Sequence, residues 1–440
     1  MSVGARQWFD IHSFTGVFTG LLLLVICWTG TVATLSYEID WLVTPEMRVE
    51  PYTGQVNLNA VEESVLDRFP LAQIQMIRVP RYQRSALEVV IRSDDLPRTR
   101  VFVDPGSAEV LGISSMANVQ RFFRSLHRRL FLPNPLGIIL VSLFAVSLAV
   151  SVVSALMFYK RWWTRFFRFR PGRRKAWMSE LHKTGGLWAL LFAVLIALTG
   201  IWYGLEATGA PHALFAEKHG DKPPALVPGP KLTLEELVTI ASKTRPDIEV
   251  NQIFPPGSFF GDDRLRVAGQ GPDLFLRDRV NSVTVSEVGQ VLENENSAGL
   301  SGFKYWVNMA DPLHFGNFAG LVSKIFWFAF GLLLCALCLT GINLHGKRLH
   351  RQGGLQGRAY WRGTLSAFAL AVLMMLVSVP LGIDEVARYL GILDLELADI
   401  PLGTGVFSFI AGWLAVTFAM LALCLFWLWR GVRPAAASPF

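Results

Sequence analysis

The chain has 440 residues, of which 52% are hydrophobic and 17% are charged, and its formal net charge is +7. This composition excludes an ordinary soluble protein, because the apolar residues occur in blocks that reach the roughly 20 residues needed to cross a bilayer. Nucleic acid is excluded as a partner, since the positive charge is concentrated in short loops between the apolar blocks.

We predict an α-helical membrane protein with six transmembrane helices, because only a helix or a closed barrel satisfies its own backbone groups in lipid. The helices are predicted in two parallel repeats followed by a C-terminal hairpin. The predicted transmembrane segments are 1–36, 136–159, 185–206, 321–343, 363–383 and 403–429. The segments between them are two large outer domains, 37–135 and 207–320, two basic loops, 160–184 and 344–362, and an outer loop, 384–402.

The loop charges predict the orientation of the chain in the membrane. Nine Lys or Arg and one acidic residue lie between Lys160 and Lys183, and five Lys or Arg with no acid lie between Lys347 and Arg362. The loop from Asp384 onwards is acidic. Because positive loops stay in the cytoplasm, we predict that both basic loops and both termini are cytoplasmic.

The two repeats are marked by a histidine at the start of an apolar helix. DIHSFTGVFTGLLLLVICWTG begins at Asp10 and ELHKTGGLWALLFAVLIALTG begins at Glu180, and in each the histidine precedes a Thr-Gly pair by seventeen residues. These histidines are His12 and His182. The equal spacing predicts an internal duplication whose symmetry axis lies along the membrane normal. We interpret the Thr-Gly pairs as sites where the far ends of these helices pack.

A second pair of histidines follows the same duplication. His127 precedes Lys160 by 33 residues, and His314 precedes Lys347 by the same number. We therefore expect His127 and His314 near the outer ends of the second and fourth transmembrane helices. The symmetry axis would bring His12 towards His182 and His127 towards His314.

The two outer segments have the pattern of small α+β domains. In each, a stretch with helical spacing of apolar residues is followed by short alternating runs separated by Gly- and Pro-rich turns, as in VFVDPGSAEVLG from Val101 to Gly112. This pattern predicts a helix followed by an antiparallel meander.

The four histidines are candidates for binding a metal. A single histidine at a helix end is more often a polar residue at the membrane surface, but four at matched positions are not explained that way. Zinc takes three or four close ligands, whereas each membrane face here offers two imidazoles, which suit the axial positions of a haem. Two haems, one near each face, would carry electrons across the membrane. His345 is an alternative inner ligand.

Small residues near the histidines admit two interpretations. Gly16, Gly30, Gly186 and Gly200 would let helices and a large planar group approach closely. Ordinary helix–helix packing explains them equally well.

These features resemble the PepSY-associated transmembrane family, in particular its bacterial ferric-siderophore reductases of the inner membrane. The resemblance rests on LHKTGG with a later LTG, on HSFTG with WTG, on the outer Leu-His pairs and on the VFVDPGSAEVLG hairpin. It implies haem b, two groups bound by His12, His182, His127 and His314, and two PepSY-like periplasmic domains. It also implies electron transfer to a periplasmic ferric siderophore, with Fe(II) released. One departure is that the second helix has Ser154-Ala155 where a Thr-Gly pair is expected.

The expected electron donor follows from the absence of a nucleotide-binding motif. No Gly-rich dinucleotide motif follows a strand, so a quinone or a cytoplasmic partner is the expected electron donor. Phe303, Tyr305 and Trp306 are candidate substrate contacts, because they precede His314 closely.

Three alternatives to a ferric-siderophore reductase stay open: a haem b subunit of another oxidoreductase, a non-redox membrane sensor or protease regulator, and a transporter.

Overall fold

A computed structural model describes residues 4–93, 98–166, 177–211, 226–258, 263–351, 360–390 and 402–432. The centres of both predicted basic loops and most of the predicted loop 384–402 lie outside these residues. The described helices are α1 Ala5–Phe18, α2 Gly20–Thr34, α3 Ser36–Val43, α4 Leu58–Arg68, α5 Val119–Arg129, α6 Leu136–Phe158, α7 Trp177–Trp188, α8 Leu190–Ala207, α9 Leu234–Thr244, α10 Gly302–Phe315, α11 Gly320–Arg351, α12 Tyr360–Leu390 and α13 Thr404–Val432.

The protein has the helices of a membrane protein. Four described helices, α6, α8, α11 and α13, are long and apolar enough to cross a bilayer, and the bent pair α1–α2 adds a fifth if it counts as one span. The predicted fifth span, 363–383, falls within α12, which contains Pro380. The membrane character of the chain is therefore confirmed, while the count of six spans stays a prediction.

The duplication seen in the sequence is present in the packing of the helices. Helix α1 packs against α6 of its own repeat, and α7 packs against α11 in the same way. Helix α2 packs against α11 of the other repeat, and α8 packs against α6. Each repeat thus supplies half of one bundle, and its helices pack against those of the other repeat.

Both repeats interrupt the first helix at the same place. Helices α1 and α2 meet at Thr19 with a bend of 64°, and α7 and α8 meet at Ala189. Thr19 is seven residues after His12, and Ala189 is seven residues after His182. The interruption therefore belongs to the duplicated unit, and it separates the histidine from the apolar half of its helix.

The two outer segments form one continuous antiparallel sheet. Each contributes a helix followed by a four-stranded meander, as the sequence predicts. The strands are β1 Gln73–Arg78, β2 Leu87–Arg92, β3 Thr99–Val103, β4 Val110–Ser115, β5 Glu249–Phe254, β6 Arg264–Gln270, β7 Asn281–Ser286 and β8 Val291–Glu295. The strand order is β4-β3-β2-β1-β5-β6-β7-β8.

The sequence predicts two separate outer domains, but the structure joins them edge to edge. Strands β1 and β5 pair antiparallel, with Ile77 opposite Ile253 and Arg78 opposite Gln252. Helices α4 and α9 cover one face and bury Val61, Val65 and Leu237 against both halves of the sheet. The pairing removes an open strand edge from each half, so the two halves form one continuous sheet with a shared core, here called the sheet unit.

The expected position of the outer histidines is wrong in one respect. His127 and His314 do not lie on the transmembrane helices α6 and α11; each lies on the preceding short helix, α5 or α10. Helix α5 ends because Leu130 adopts a left-handed conformation with φ of 51°, and α10 ends at Gly316 with φ of 68°. The histidines are therefore held between the sheet unit and the membrane helices.

Candidate functional site

The four histidines form two pairs at opposite ends of the bundle. The ring centroids of His127 and His314 are 6.0 Å apart, and we call these residues the sheet-side pair. The ring centroids of His12 and His182 are 6.3 Å apart, and these residues are the far-side pair. The proximity expected from the duplication is confirmed for both pairs; their role as haem ligands stays a prediction.

Each imidazole of the sheet-side pair is held by a hydrogen bond at Nδ1. His127 Nδ1 lies 2.9 Å from the carbonyl oxygen of Ile26, and His314 Nδ1 lies 2.8 Å from the hydroxyl of Thr199. That hydroxyl donates its own proton to the carbonyl oxygen of Leu195, at 2.8 Å. Both partners can therefore only accept, and both histidines carry their proton on Nδ1.

The far-side pair repeats this arrangement. His182 Nδ1 lies 2.9 Å from the hydroxyl of Thr340, which donates to the carbonyl oxygen of Ala336 at 2.7 Å. His12 Nδ1 lies 2.9 Å from the carbonyl oxygen of Ser151. This explains how the first repeat works without a Thr-Gly pair in α6, since a backbone carbonyl takes the place of the threonine hydroxyl.

The consequence is the same for all four histidines. With the proton on Nδ1, the lone pair lies on Nε2, which is the form in which a neutral imidazole binds a metal. A hydrogen bond at the other nitrogen also fixes the ring and raises its basicity as a ligand. The bundle therefore presents two pairs of oriented Nε2 atoms.

The spacing within each pair fits one metal ion between two imidazoles. Such rings have centroids about 6 Å apart, because each metal–nitrogen distance is about 2 Å and the nitrogen lies roughly 1 Å from the ring centre. Within the described part of the chain, no group of three or more His, Cys, Asp or Glu side chains could hold a metal. Each pair thus suits an iron whose other ligands come from a macrocycle.

Three Thr-Gly pairs contact histidines directly: Thr29-Gly30, Thr199-Gly200 and Thr340-Gly341. The interpretation of the first two pairs as packing sites missed these contacts. A Cβ added at Gly30 would lie 2.6 Å from Cε1 of His127, and one at Gly341 would lie 3.4 Å from Cε1 of His182. Thr340 accepts the Nδ1 proton of His182, whereas the hydroxyl of Thr29 lies 3.4 Å from Nδ1 of His127, whose proton is accepted by the carbonyl oxygen of Ile26. Gly30 and Gly341 let the two rings lie against their helices. The sequence feature that could have indicated this role is the recurrence of a Thr-Gly pair seventeen residues after His12 and after His182.

A cavity of about 380 Å³ adjoins the sheet-side pair. Apolar side chains of α2, α6, α8 and α11 form most of its wall, His127 and His314 line it, and charged side chains lie at one side. Cofactor sites have volumes of about 300–1,000 Å³ with apolar walls and few polar groups. The cavity therefore fits a largely apolar group with charged substituents that reaches the sheet-side pair.

Asp40 of α3 fixes the helix that carries His127. Its carboxylate accepts hydrogen bonds from the backbone N–H groups of Val119 at 2.8 Å and Gln120 at 2.9 Å, at the start of α5. Burial raises the pKa of Asp40 to about 6, against the opposing effect of Arg100 and of these hydrogen bonds. The carboxylate form therefore predominates at pH 7.

Replacing Asp40 with alanine is expected to destabilise the docking of α5, because two buried N–H groups lose their acceptor, at about 1–3 kcal/mol each. The thermal unfolding midpoint should fall, and any ligand of the sheet-side pair should be held less tightly. Asn57→Ala is the matched control, because Asn57 caps α4 in the sheet unit, far from the histidines. Equal effects of the two substitutions on ligand retention would contradict this role of Asp40.

Replacing Thr199 with valine tests the hydrogen bond to His314. Valine keeps the shape of the side chain and removes the acceptor, so the Nδ1 proton of His314 loses its partner. Loss of such a partner typically weakens metal binding by about 10–100-fold. Thr340→Val should do the same at the far-side pair, and absorbance-monitored haem titrations should show that each variant affects only its own pair. If either variant weakened haem binding at both pairs equally, the assignment of Thr199 to His314 and of Thr340 to His182 would be contradicted.

The other predicted site residues have structural partners. His345 is buried, with Nδ1 3.4 Å from the hydroxyl of Ser13, so it lies beside the far-side pair; its role as a ligand stays a prediction. Phe303 and Trp306 pack against Trp202, with ring centroids 6.0 Å apart in each case. Tyr305 donates a hydrogen bond of 2.5 Å to Asp273. These three residues tie α10 to α8 and to the sheet unit, and substrate contact stays a prediction for them.

A membrane bundle with a duplicated histidine pair and an outer antiparallel sheet defines the class of this protein. Residues 9–348 match the PepSY-associated TM region family, and the chain belongs to that family. It is also similar to an uncharacterized protein of Pseudomonas aeruginosa, with 27% identity over 358 residues that cover 71% of this chain and 88% of the relative. The resemblance to the PepSY-associated transmembrane family is thereby confirmed, while the ferric-siderophore reductase type stays a prediction.

Proposed function

We propose that this protein is a haem b reductase of the bacterial inner membrane that passes electrons to periplasmic ferric siderophores. The observation that carries the proposal is the pair of anchored imidazoles at each end of the bundle, all four with Nε2 available. Haem b, when bound at each pair, supplies one-electron chemistry on either side of the membrane. Reduction releases iron, because Fe(II) binds hard oxygen ligands far less tightly than Fe(III).

The chain's own residues would hold and tune the two groups. His127 and His314 would bind one iron, and His12 and His182 the other. Thr199 and Thr340 would orient one imidazole of each pair and raise its basicity. Apolar side chains around the sheet-side pair would exclude water from the apolar ring of the macrocycle.

The separation of the pairs suits transfer across the membrane. His12 lies in α1, and His127 contacts α2 beside Gly30, eighteen residues further along the chain. At about 1.5 Å per residue this is at most roughly 27 Å, and the bend between α1 and α2 shortens it. If each pair held a haem, the two groups would lie within this length of each other, which suits electron transfer between them.

The proposed orientation follows the basic loops. The sheet unit would lie in the periplasm and both termini in the cytoplasm. The far-side pair would then accept electrons from a quinone or a cytoplasmic donor, near Asp10 and Arg348, which form an ion pair at 3.3 Å. The sheet-side pair would deliver them to the ferric siderophore.

The proposal is tested with the full chain in liposomes that hold dithionite inside and a ferric trihydroxamate with an impermeant Fe(II) chelator outside. Fe(II) is expected outside vesicles with wild-type protein and with Gly412→Ala, a helical glycine with no atom within 4 Å of an added Cβ. The double variant His12→Ala/His127→Ala should give the rate of empty vesicles. Equal rates for this variant and wild type would refute electron transfer through the histidine pairs.

A further inference from the structure

Four arginines line the cavity beside the sheet-side pair: Arg124, Arg128, Arg277 and Arg279. Arg124 and Arg128 are one turn apart on α5 and share a face with His127. The other two flank the start of a short 3₁₀ helix, Asp278–Val280, in the sheet unit. The bundle and the sheet unit therefore each contribute two cations to the same opening.

The acidic residues at this opening do not neutralise the arginines. Asp311 and Glu206 are the only acidic residues that line the cavity in the described part of the chain, which leaves two more positive than negative charges. Asp311 already accepts a hydrogen bond from the hydroxyl of Tyr203 and forms an ion pair with Arg277, both at 2.6 Å. Among the described residues, Arg128 and Arg279 form no hydrogen bond or ion pair.

Three of these side chains, Arg124, Arg128 and Arg279, are exposed at the mouth of the cavity, and Arg277 is half-buried. Their charges repel one another, because like charges held close together raise each other's energy. An anion that joins them relieves this repulsion and gains charge-assisted hydrogen bonds. The site therefore favours a ligand with about two negative charges.

We propose that these arginines bind the two propionate carboxylates of the sheet-side haem, so that the macrocycle enters the cavity with its propionates towards the sheet unit. This inference rests on the proposed function. Two carboxylates match the excess of two positive charges, and guanidinium groups bind carboxylates with two parallel hydrogen bonds. Arg128 and Arg279 are the principal donors, since Arg277 is already paired with Asp311.

The test uses the full chain with Arg128→Gln and Arg279→Gln together. Arg68→Gln with Arg92→Gln is the matched control, because it removes two charges from the sheet unit away from the cavity. We expect the double variant to hold the sheet-side haem at least tenfold less tightly and to lower its midpoint potential, since loss of positive charge favours Fe(III). The far-side haem should keep its occupancy and potential, which shows that the variant is folded.

Haem dimethyl ester distinguishes propionate binding from a general loss of stability. Wild-type protein should bind haem more tightly than the ester, and the glutamine variant should bind both equally. Arg128→Lys with Arg279→Lys keeps the charge and should keep the potential. If the glutamine variant also loses the far-side haem, the lysine variant distinguishes lost propionate binding from misfolding. Retention of both haems with normal potentials in the lysine variant supports the proposal, and loss of both haems overturns it.

Two other outcomes overturn the inference in different ways. Unchanged retention and potential of the sheet-side haem in the glutamine variant would overturn propionate binding and leave the proposed function standing. In that case the arginines would serve a free anion, which a titration of the haem-loaded protein with citrate would reveal. A colourless wild-type protein would overturn both the inference and the proposed function.

Discussion

Replacing His127 with alanine is expected to remove one of two haems from each chain and to leave the other in place. His127 and His314 are the two residues that would hold the sheet-side haem, and alanine would leave only one imidazole to bind it. The hydrogen bond from Nδ1 to the carbonyl oxygen of Ile26 is lost as well. The pyridine haemochrome content should fall from two to one per chain, and the six-coordinate spectrum of the sheet-side haem should disappear.

The symmetry of the structure provides the control for this prediction. His12→Ala should remove the far-side haem and leave the sheet-side haem, so the two variants should lose complementary parts of the reduced spectrum. The double variant His12→Ala/His127→Ala should contain no six-coordinate haem. A full haem content in His127→Ala would contradict the assigned pairing and direct attention to other histidines.

Replacing Gly30 with alanine is expected to have a large effect through a single methyl group. The added Cβ would lie 2.6 Å from Cε1 of His127, so the imidazole has to leave its hydrogen bond with Ile26. Overpacking of this kind costs about 1–3 kcal/mol, and a ligand displaced from its iron costs binding in addition. We expect loss of the sheet-side haem with little change in the far-side haem, measured by redox difference spectra.

Gly412→Ala is the matched control for Gly30→Ala. Gly412 also lies within a transmembrane helix, and no atom lies within 4 Å of a Cβ placed there. Alanine should be tolerated at this position and can stabilise the helix by about 1 kcal/mol. If Gly30→Ala retains both haems and their potentials, the glycine serves helix packing alone, as its sequence pattern equally allows.

The sequence predicts the membrane helices and the pairing of the histidines well, because both depend on repeated spacing. Apolar blocks of sufficient length identify helices in lipid, and a duplication relates His12 to His182 and His127 to His314 without knowledge of contacts. The helix-then-meander pattern of the outer segments is also local, and the structure contains it in both halves.

The sequence does not predict features that depend on contacts between distant segments of the chain. The pairing of β1 with β5 joins two halves that are far apart in the chain, and nothing in either strand alone indicates its partner. The role of Thr199 as a partner of His314 crosses 115 positions. Arg277 and Arg279 reach the cavity only because the sheet unit folds back onto the bundle. Each of these relations is set by tertiary packing.

The alternatives to a siderophore reductase differ in what they require of the histidines. A haem b subunit of another oxidoreductase would keep both haems and fail to reduce ferric chelates. A non-redox sensor or protease regulator would use the sheet unit and hold no haem, with the hydrogen bonds to Thr199 and Thr340 serving only the fold. A transporter would also be expected to lack haem.

The most direct test of the central claim is the visible absorption spectrum of the purified full chain, oxidised and dithionite-reduced, with a pyridine haemochrome count. The protein should show the sharp reduced bands of six-coordinate haem b, with two haems per chain. A colourless protein, after expression with an adequate supply of haem, would contradict the account and favour the non-redox regulator.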